Sequence, residues 1–228
     1  HIETTVFVNG KEVGHQMSLS VPHEYDITDY VKFGKNNSIA IKIYNGIENV
    51  GVGQDSHSVT DQTQGNWNGI VGKIELRSQK SIFTVKTFPD LTTGNVKVLV
   101  NDKEYNLKID NPQPWSEFTP ILYTRSIIYR GDTIPVTFGF RKIEVKGRDI
   151  MLNGRPIYVR GTVENCNFPL TGYPPTDVES WKKIIQKCKD YGINTMRFHS
   201  YCPPEAAFIA ADSLGFYLQP EGPSWPNH

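Results

Sequence analysis

The stretch that decides the fold class is residues 176–200, TDVESWKKIIQKCKDYGINTMRFHS. Thr176 and Glu179 have the spacing of a capping box, which predicts that a helix begins there. The apolar residues that follow recur every three or four positions, as along one face of a helix: Val178, Trp181, Ile184, Ile185, Cys188 and Tyr191. Gly192 predicts the end of this helix, and residues 193–199 predict a strand after it.

The segments on both sides continue an alternation of strands and helices. Residues 157–161 predict a buried strand before the helix, and residues 216–219 predict another strand near the end of the chain. Between these strands, Pro203 and Pro204 suit the first turn of a second helix, which Gly215 ends. Such alternation is typical of a parallel barrel or an open α/β sheet. Three strands complete neither of them, so we expect the front of a larger enzyme.

Residues 1–140 predict short strands separated by turns, which is typical of β-sandwiches and jelly rolls. The pair Asn9-Gly10 predicts a type I′ hairpin turn, and residues 70–76 predict a further strand. From residue 79 to residue 140 the pattern supports about five strands, fewer than the roughly seven of an immunoglobulin-type sandwich. Either this second domain has fewer strands than usual, or residues of the natural protein are absent from the chain.

The composition excludes two classes of partner. Lysine and arginine together number 24, as do aspartate and glutamate, so no excess charge favours nucleic acid or an anionic membrane surface. The sequence has no run of about 18 apolar residues, so we expect no membrane span.

The cysteines favour neither a disulfide framework nor a zinc site. They are odd in number and lack metal-ligand spacing: Cys166, Cys188 and Cys202.

Polar residues follow each predicted strand of the α/β part, at the end where parallel folds bind ligands. They are Arg160, Glu164, Asn165 and Asn167 for the first strand, Arg197 and His199 for the second, and Glu221 and Trp225 for the third. Arg197 and His199 alternate along their strand, so both point to one face. Sugar hydroxyls need many donors and acceptors, so this set favours a polyhydroxylated substrate without naming a reaction.

Each of these residues also has a structural explanation. Arg160 could be an ion-pair partner at a strand end, and Glu164 and Asn165 could be solvated loop residues. Glu221 could be a surface carboxylate. Trp225 could serve in packing alone or as a platform on which a sugar ring stacks. The sequence leaves these alternatives open.

Six segments resemble, in the same order along the chain, glycoside hydrolase family 2, the group of β-galactosidases, β-glucuronidases and β-mannosidases. They are VFVNGKEVG (6–14), WNGIVGKIEL (67–76), FGFR (138–141), LNGRPIYVRG (152–161), GINTMR (192–197) and ADSLGF (211–216). The resemblance implies a multidomain β plus α/β protein. Its domains would be a jelly-roll β-sandwich of the sugar-binding type at 1–78, an immunoglobulin-like β-sandwich at 79–140, and the first three βα units of a (β/α)8 TIM barrel at 141–228. The family's first sandwich has strands before residue 6, so we expect both ends to be truncated.

The resemblance also implies a retaining hydrolysis of β-glycosidic bonds by two carboxyl groups about 5–5.5 Å apart. The family carries these groups on the fourth and seventh barrel strands, so no residue of this chain is assigned as catalytic. Arg197 matches an arginine that orients the catalytic carboxylates. His199 lies near a substrate-contacting histidine, although Arg-x-His replaces the common Arg-x-x-His. Glu221 matches an acidic residue that belongs to a metal site in some members.

The expected substrate is a carbohydrate, and the predicted substrate-binding residues are Arg197, His199, Glu164, Asn165, Glu221 and Trp225. No cofactor is expected, although a divalent cation near Glu221 is left open, and so is a homo-oligomer. Residues 161–169 lack the histidine- and acid-rich pattern of well-known β-galactosidases, so galactose specificity does not transfer. No signal peptide is visible, and the compartment is left open, with a periplasmic or extracellular location slightly favoured over a cytoplasmic one.

Two alternatives to the enzyme are compatible with the sequence. The chain could be a non-catalytic carbohydrate-binding protein that uses Trp67 and the polar loop at 45–69. Residues 1–140 could instead be purely structural, buttressing the α/β part and shaping its mouth. An Asn-Glu pair at the end of a fourth strand would favour the enzyme.

Overall fold

The computed structural model describes residues 3–18, 21–46, 69–78 and 83–222. Within these residues, most regular structure is β-strand, arranged in small sheets of two or three strands, and the helices are α1 (Val178–Asp190) and α2 (Glu205–Leu214). None of the described helices is long and apolar enough to cross a membrane. The chain is therefore mainly a β-protein to which a short α/β part is joined.

The first sheet contains β1 (Glu3–Val8), β2 (Lys11–Met17) and β3 (Ile39–Tyr44), with β1 in the centre and both pairings antiparallel. Asn9 and Gly10 have φ angles of 51° and 80°, so the predicted type I′ turn is confirmed. The strand predicted at 70–76 is wrong. Ile74 and Leu76 are exposed there, and these residues pair with no described strand.

The second group of sheets has a core of its own. The strands β4 (Val85–Pro89), β5 (Asn95–Val100) and β6 (Lys103–Lys108) form one antiparallel sheet, and β7 (Tyr123–Tyr129) pairs with β8 (Asp132–Phe138). Alternate side chains of the two sheets are buried together: Val96, Val98, Val100, Ile127, Tyr129, Ile134, Val136, Phe138 and Phe140. This period-two burial is what the alternating sequence predicts for two packed sheets.

The α/β part begins with a small antiparallel sheet of β9 (Ile143–Lys146), β10 (Asp149–Leu152) and β11 (Arg155–Pro156). The chain then runs through β12 (Gly161–Glu164), α1, β13 (Thr195–Phe198), α2 and β14 (Tyr217–Gln219). These last three strands form a parallel sheet in chain order. Trp181 and Ile185 of α1, Ala207 and Ala210 of α2, and Phe198 of β13 are fully buried between the helices and one face of the sheet.

Glycines end both helices as predicted, but the predicted start of α1 is off by one residue. Asp177, and not Thr176, caps the helix, and its carboxylate accepts the Ser180 N–H at 2.8 Å. Aspartate is as good a capping residue as threonine, and its charge also suits the positive end of the helix dipole. Gly192 and Gly215 have φ angles of 75° and 71°, in the left-handed conformation that glycine adopts without strain.

The first parallel strand begins later than the sequence predicts. Residues 157–160 form no strand, because the side chain of Asn194 occupies their backbone groups: its amide donates to the Tyr158 carbonyl at 2.9 Å and accepts the Arg160 N–H at 2.8 Å. Strand pairing starts only at Gly161, opposite Thr195. As a result, Arg160 lies at the amino edge of the sheet, whereas the sequence interpretation placed it at the carboxyl edge.

Candidate functional site

The carboxyl ends of β12, β13 and β14 bring four of the predicted residues to one face of the parallel sheet. Val163, Arg197 and Gln219 are register neighbours, so their side chains share a face. His199 and Glu221 each lie two residues further along the chain, which places them on that same face. It is the face opposite the one that the two helices cover. We call Asn165, Arg197, His199 and Glu221 the strand-end cluster.

An ion pair forms the centre of the strand-end cluster. Arg197 Nε donates to Glu221 Oε1 at 2.5 Å, and the Ser200 backbone N–H donates to Glu221 Oε2 at 2.8 Å. The side chains of Arg197 and Glu221 are 40% and 25% exposed, so both remain accessible to a ligand. Among the described residues, no acceptor lies against the two Nη groups of Arg197, so these donors are available for a bound molecule.

The environment of Glu221 favours its charged form. The N–H of Ser200 is the main reason that the pKa of the Glu221 carboxyl lies below its usual range, and Arg197 lowers this pKa further. A carboxylate that stays charged keeps the guanidinium oriented by a charge-assisted hydrogen bond. The pair is therefore a fixed support from which the remaining donors of Arg197 can reach a bound molecule.

We expect Glu221→Gln to lower the free energy of unfolding by about 1 kcal/mol at neutral pH, because a neutral amide replaces one partner of a partly exposed pair. The folded pKa of Glu221 is depressed. Its contribution is therefore present above the unfolded pKa, about 4.3, and is lost as the pH falls through the lower folded value. Urea unfolding at pH 7 and at pH 3 should show a smaller difference for the variant than for the wild type. Glu12→Gln, at an exposed position on β2, is the control, and parallel pH profiles for Glu221→Gln and wild type would contradict this account.

The second pair of the cluster joins the ends of β12 and β13. His199 Nδ1 lies 3.1 Å from Asn165 Oδ1, and since this oxygen can only accept, Nδ1–H is the donor. The backbone N–H of His199 also donates to the Glu164 carbonyl at 2.9 Å, which extends the strand pairing by one bond. The imidazole is thereby held in one orientation beside the ion pair.

Two non-glycine residues at this edge have a left-handed backbone. Cys166 follows β12 with a φ of 56°, and Ser200 follows β13 with a φ of 60°. The turn at Ser200 is what aims its N–H at Glu221. Such conformations cost on the order of 1–3 kcal/mol each and are concentrated at binding sites, where the surrounding structure holds them. Their position supports a functional role for this edge of the sheet.

Glu164 lies on the other face of the sheet from the strand-end cluster. It is paired in register with Phe198, whose side chain is buried against the helices. Burial raises the pKa of the Glu164 carboxyl, although the backbone N–H groups of Cys166, Asn167 and Asn165 oppose the shift. Its Oε2 atom is buried and has no hydrogen-bond partner among the described residues. The structure therefore does not bring this carboxylate together with Glu221.

Two tryptophans that the sequence analysis singled out, Trp225 and Trp67, lie outside the described residues, as does most of the loop at 45–69. Within the described part of the chain, no group of three or more His, Cys, Asp or Glu side chains could hold a metal ion. Both oxygens of Glu221 accept hydrogen bonds from protein donors, so this carboxylate is directed toward Arg197 and Ser200.

Arg160 takes part in a structural network at the opposite, amino edge of the sheet. Its Nη2 lies 3.1 Å from Glu117 Oε1, and its Nε donates to the Gly192 carbonyl at 2.6 Å. Asn194 donates to the other oxygen of Glu117 at 2.5 Å. Of the two interpretations left open for Arg160, the structural ion pair is the one observed. The sequence gives no signal for Glu117, because its partners are far away along the chain.

Comparison with known proteins gives relatives along almost the whole chain, although no family model matches it. The β-galactosidase of Staphylococcus xylosus is 24% identical in an alignment that covers 95% of this chain and 24% of that protein. A putative β-glucuronidase of Formosa agariphila is 26% identical in an alignment that covers 97% of this chain and 24% of that protein. The chain thus spans about a quarter of the length of these curated relatives.

The fold has a solved counterpart as well. A glycosyl hydrolase family 2 member from Bacteroides cellulosilyticus superposes with a TM-score of 0.68 at 20% identity, covering 97% of this chain and 36% of that one. This likeness shows that the arrangement of sheets and helices is the same in both. Together, the curated relatives and the solved structure confirm the resemblance to glycoside hydrolase family 2 that was found in the sequence.

Proposed function

We propose that this chain is part of a retaining glycoside hydrolase and that its strand-end cluster forms one side of the sugar-binding site. The observation that carries the proposal is the pairing of Arg197 with Glu221 and of His199 with Asn165 on one face, at the carboxyl ends of three parallel strands. Parallel α/β folds bind their ligands at this edge. The similarity to proteins named β-galactosidase and putative β-glucuronidase supports the same reading.

The proposal includes the domain organisation. Residues 141–228 would be the first three βα units of a (β/α)8 barrel, preceded by a jelly-roll domain at 1–78 and an immunoglobulin-like domain at 79–140. Two separate clusters of buried residues support the last boundary: one lies between residues 96 and 140, and the other lies between residues 166 and 216. A domain has its own core, so the division follows the packing.

The strand-end cluster has the chemistry to bind and orient a sugar. The free Nη groups of Arg197 donate in a fixed plane, which suits a pair of hydroxyls or a carboxylate. The amide of Asn165 supplies further donors, and the imidazole of His199 is a polar group beside them. Trp225 would add a ring on which a sugar can stack. Glu164 is also kept in the proposed binding set, although its register places it on the face of the sheet that the helices cover.

The proposal assigns no catalytic carboxylate to this chain. A retaining glycosidase needs two carboxyl groups about 5–5.5 Å apart that flank the same bond. Glu164 ends β12 and Glu221 follows β14, and these two carboxylates lie on opposite faces of the sheet. We therefore place the nucleophile and the acid/base on later strands of the barrel. The purified chain should release no nitrophenol from aryl β-glycosides, and turnover would overturn this assignment.

A binding experiment tests the proposed site. The chain would be titrated by calorimetry with methyl β-galactoside and methyl β-glucuronide, and Arg197→Ala should weaken binding roughly ten-fold, because it removes a charge-assisted hydrogen bond. Arg148→Ala, at an exposed arginine between β9 and β10, is the matched control and should bind as the wild type does. Equal affinity of Arg197→Ala and the wild type would favour a binding site elsewhere in the chain, as the non-catalytic alternative requires.

A further inference from the structure

A concave site lies in the β-part of the chain and is lined by none of the residues of the strand-end cluster. An open cavity of about 1110 Å³ is formed at the tips of two hairpins, the turn between β5 and β6 and the turn between β7 and β8. Its polar lining consists of Thr84, Lys86, Asn101, Asp102, Lys103 and Arg130. We call it the hairpin-tip cavity. Its volume is ample for several sugar units, since ligand sites typically enclose about 300–1,000 Å³.

The hairpin-tip cavity carries an excess of positive charge. Among the described residues that line it, three are cations, Lys86, Lys103 and Arg130, and one is a carboxylate, Asp102. None of the three cations forms an ion pair with a described residue, whereas Lys97 of the same sheet is paired with Glu104 at 3.8 Å. Unpaired cations that line one concavity raise the local concentration of anions and are free to bind them. The charge of the cavity therefore selects for an acidic ligand.

Aromatic rings hold two of these cations in place without neutralising them. The ammonium group of Lys103 lies 5.0 Å from the centre of the Tyr105 ring, and the guanidinium of Arg130 lies 5.4 Å from that of Tyr129. Both distances are within the range of a cation–π contact. A long side chain that is already ordered loses less conformational entropy when it binds, which favours affinity.

Hydrogen bonds across the strands fix the walls of the cavity. Asn101 Oδ1 accepts the Thr84 N–H at 2.9 Å, and Asn101 Nδ2 donates to the Tyr129 hydroxyl at 3.1 Å. These bonds join the start of β4, the β5–β6 turn and the end of β7. Asn101 and Arg130 themselves have left-handed φ angles of 50° and 49°, so each turn has a defined shape. The cavity is therefore largely formed before any ligand binds.

We infer that the hairpin-tip cavity binds an acidic saccharide, a sugar chain whose carboxylate or sulfate groups are held by Lys103 and Arg130. The choice of a saccharide rests on the proposed function, while the choice of an anion rests on the charges of the cavity. Asp102 can accept hydrogen bonds from sugar hydroxyls, which a small inorganic anion would not offer.

The test uses the whole chain and calorimetric titration with hexagalacturonate, with maltohexaose as the neutral chain of equal length and sodium sulfate as the free anion. Hexagalacturonate should bind, and the double variant Lys103→Gln/Arg130→Gln should weaken it roughly ten-fold or more, because two charge-assisted contacts are lost. Salt at roughly 0.5 M should weaken it as well, since it screens these contacts. The double variant Lys35→Gln/Lys42→Gln removes the same charge from exposed positions near the first sheet and should leave binding unchanged.

The inference would be overturned by equal binding of maltohexaose, by unchanged binding of Lys103→Gln/Arg130→Gln, or by displacement of hexagalacturonate by sulfate at equal concentration of anionic groups. The last outcome would identify a site for free anions. Failure of the inference can be told apart from failure of the proposed function, because Arg197→Ala should not affect hexagalacturonate binding at the hairpin tips. Loss of hexagalacturonate binding in Arg197→Ala would instead place the acidic saccharide at the strand-end cluster and would also contradict the inference.

Discussion

Replacing Trp181 with alanine is expected to lower the free energy of unfolding by about 3–5 kcal/mol. Trp181 is fully buried, and its indole N–H donates to the Pro175 carbonyl at 2.6 Å. The ring makes edge contacts with Phe168 and Phe198, at centroid distances of 6.1 and 5.9 Å. Truncation to alanine removes these contacts and leaves a cavity between α1 and the parallel sheet. Since domains are stable by only about 5–15 kcal/mol, this loss is a large share of the total.

Equilibrium unfolding in urea measures the effect of Trp181→Ala. Phe33→Ala is the matched control, because its aromatic ring is 82% exposed and its removal should cost less than about 0.5 kcal/mol. The free energy of unfolding of Trp181→Phe should lie between those of Trp181→Ala and the wild type, since phenylalanine keeps a ring but loses the hydrogen bond to Pro175. A cost below about 1 kcal/mol for Trp181→Ala would mean that α1 does not pack against the sheet as described.

The second large effect is expected at Gly215, where α2 ends. A methyl group there would lie 2.7 Å from the Glu117 carbonyl oxygen and 2.9 Å from Glu117 Cα. These are backbone atoms, so the segment that precedes the α/β part would have to move. The left-handed φ of 71° adds its own penalty of about 1–2 kcal/mol for any side chain. We expect Gly215→Ala to cost about 3 kcal/mol or more in total.

Gly192→Ala separates the two causes. Gly192 has nearly the same φ, 75°, but no atom lies within 4 Å of its added methyl group. It should therefore cost only the backbone penalty, about 1–2 kcal/mol. Urea unfolding of the two variants in parallel gives the steric contribution as their difference. Equal costs for Gly192→Ala and Gly215→Ala would show that the segment around Glu117 does not pack on the end of α2.

That packing matters because it joins the second group of sheets to the α/β part. Lys189 donates to the carbonyl oxygens of Glu117, Leu214 and Gly215 at 2.8, 2.5 and 3.1 Å. Trp115, which is buried, donates its indole N–H to the Asp212 carbonyl at 2.8 Å. An ammonium with three carbonyl acceptors fills all its donor positions without a carboxylate partner. These contacts are made to backbone carbonyls of residues far away along the chain, which explains why no local sequence pattern revealed the junction.

The order of elements in the α/β part could be predicted from the sequence because several local signals agree. The apolar stripe of α1, the glycines after both helices and the short apolar strands all point to the same arrangement. The start of β12 could not be predicted, since it depends on a long-range bond. Asn194 takes the backbone groups of residues 158 and 160, which shifts strand pairing toward Gly161.

Part of the candidate site could also be predicted from the sequence, because that part depends on local strand geometry. The alternation of Arg197 and His199 follows from strand geometry, and a period of two needs no knowledge of register. The face of Glu164 depends on which residue begins β12, so the sequence could not separate it from Asn165. The role of the Ser200 N–H depends on a left-handed turn at a serine, which residue preferences do not favour.

The most direct test of the central claim, that the strand-end cluster binds the sugar, is a map of backbone amide shifts during the titration with methyl β-glycosides. The chemical shifts of four backbone amides should change together as sugar is added: those of Asn165, Arg197, His199 and Glu221. Arg197→Ala should reduce these shift changes at equal sugar concentration. Shifts confined to residues 1–78, with the strand-end amides unmoved, would contradict the account and would place carbohydrate binding in the first β-domain.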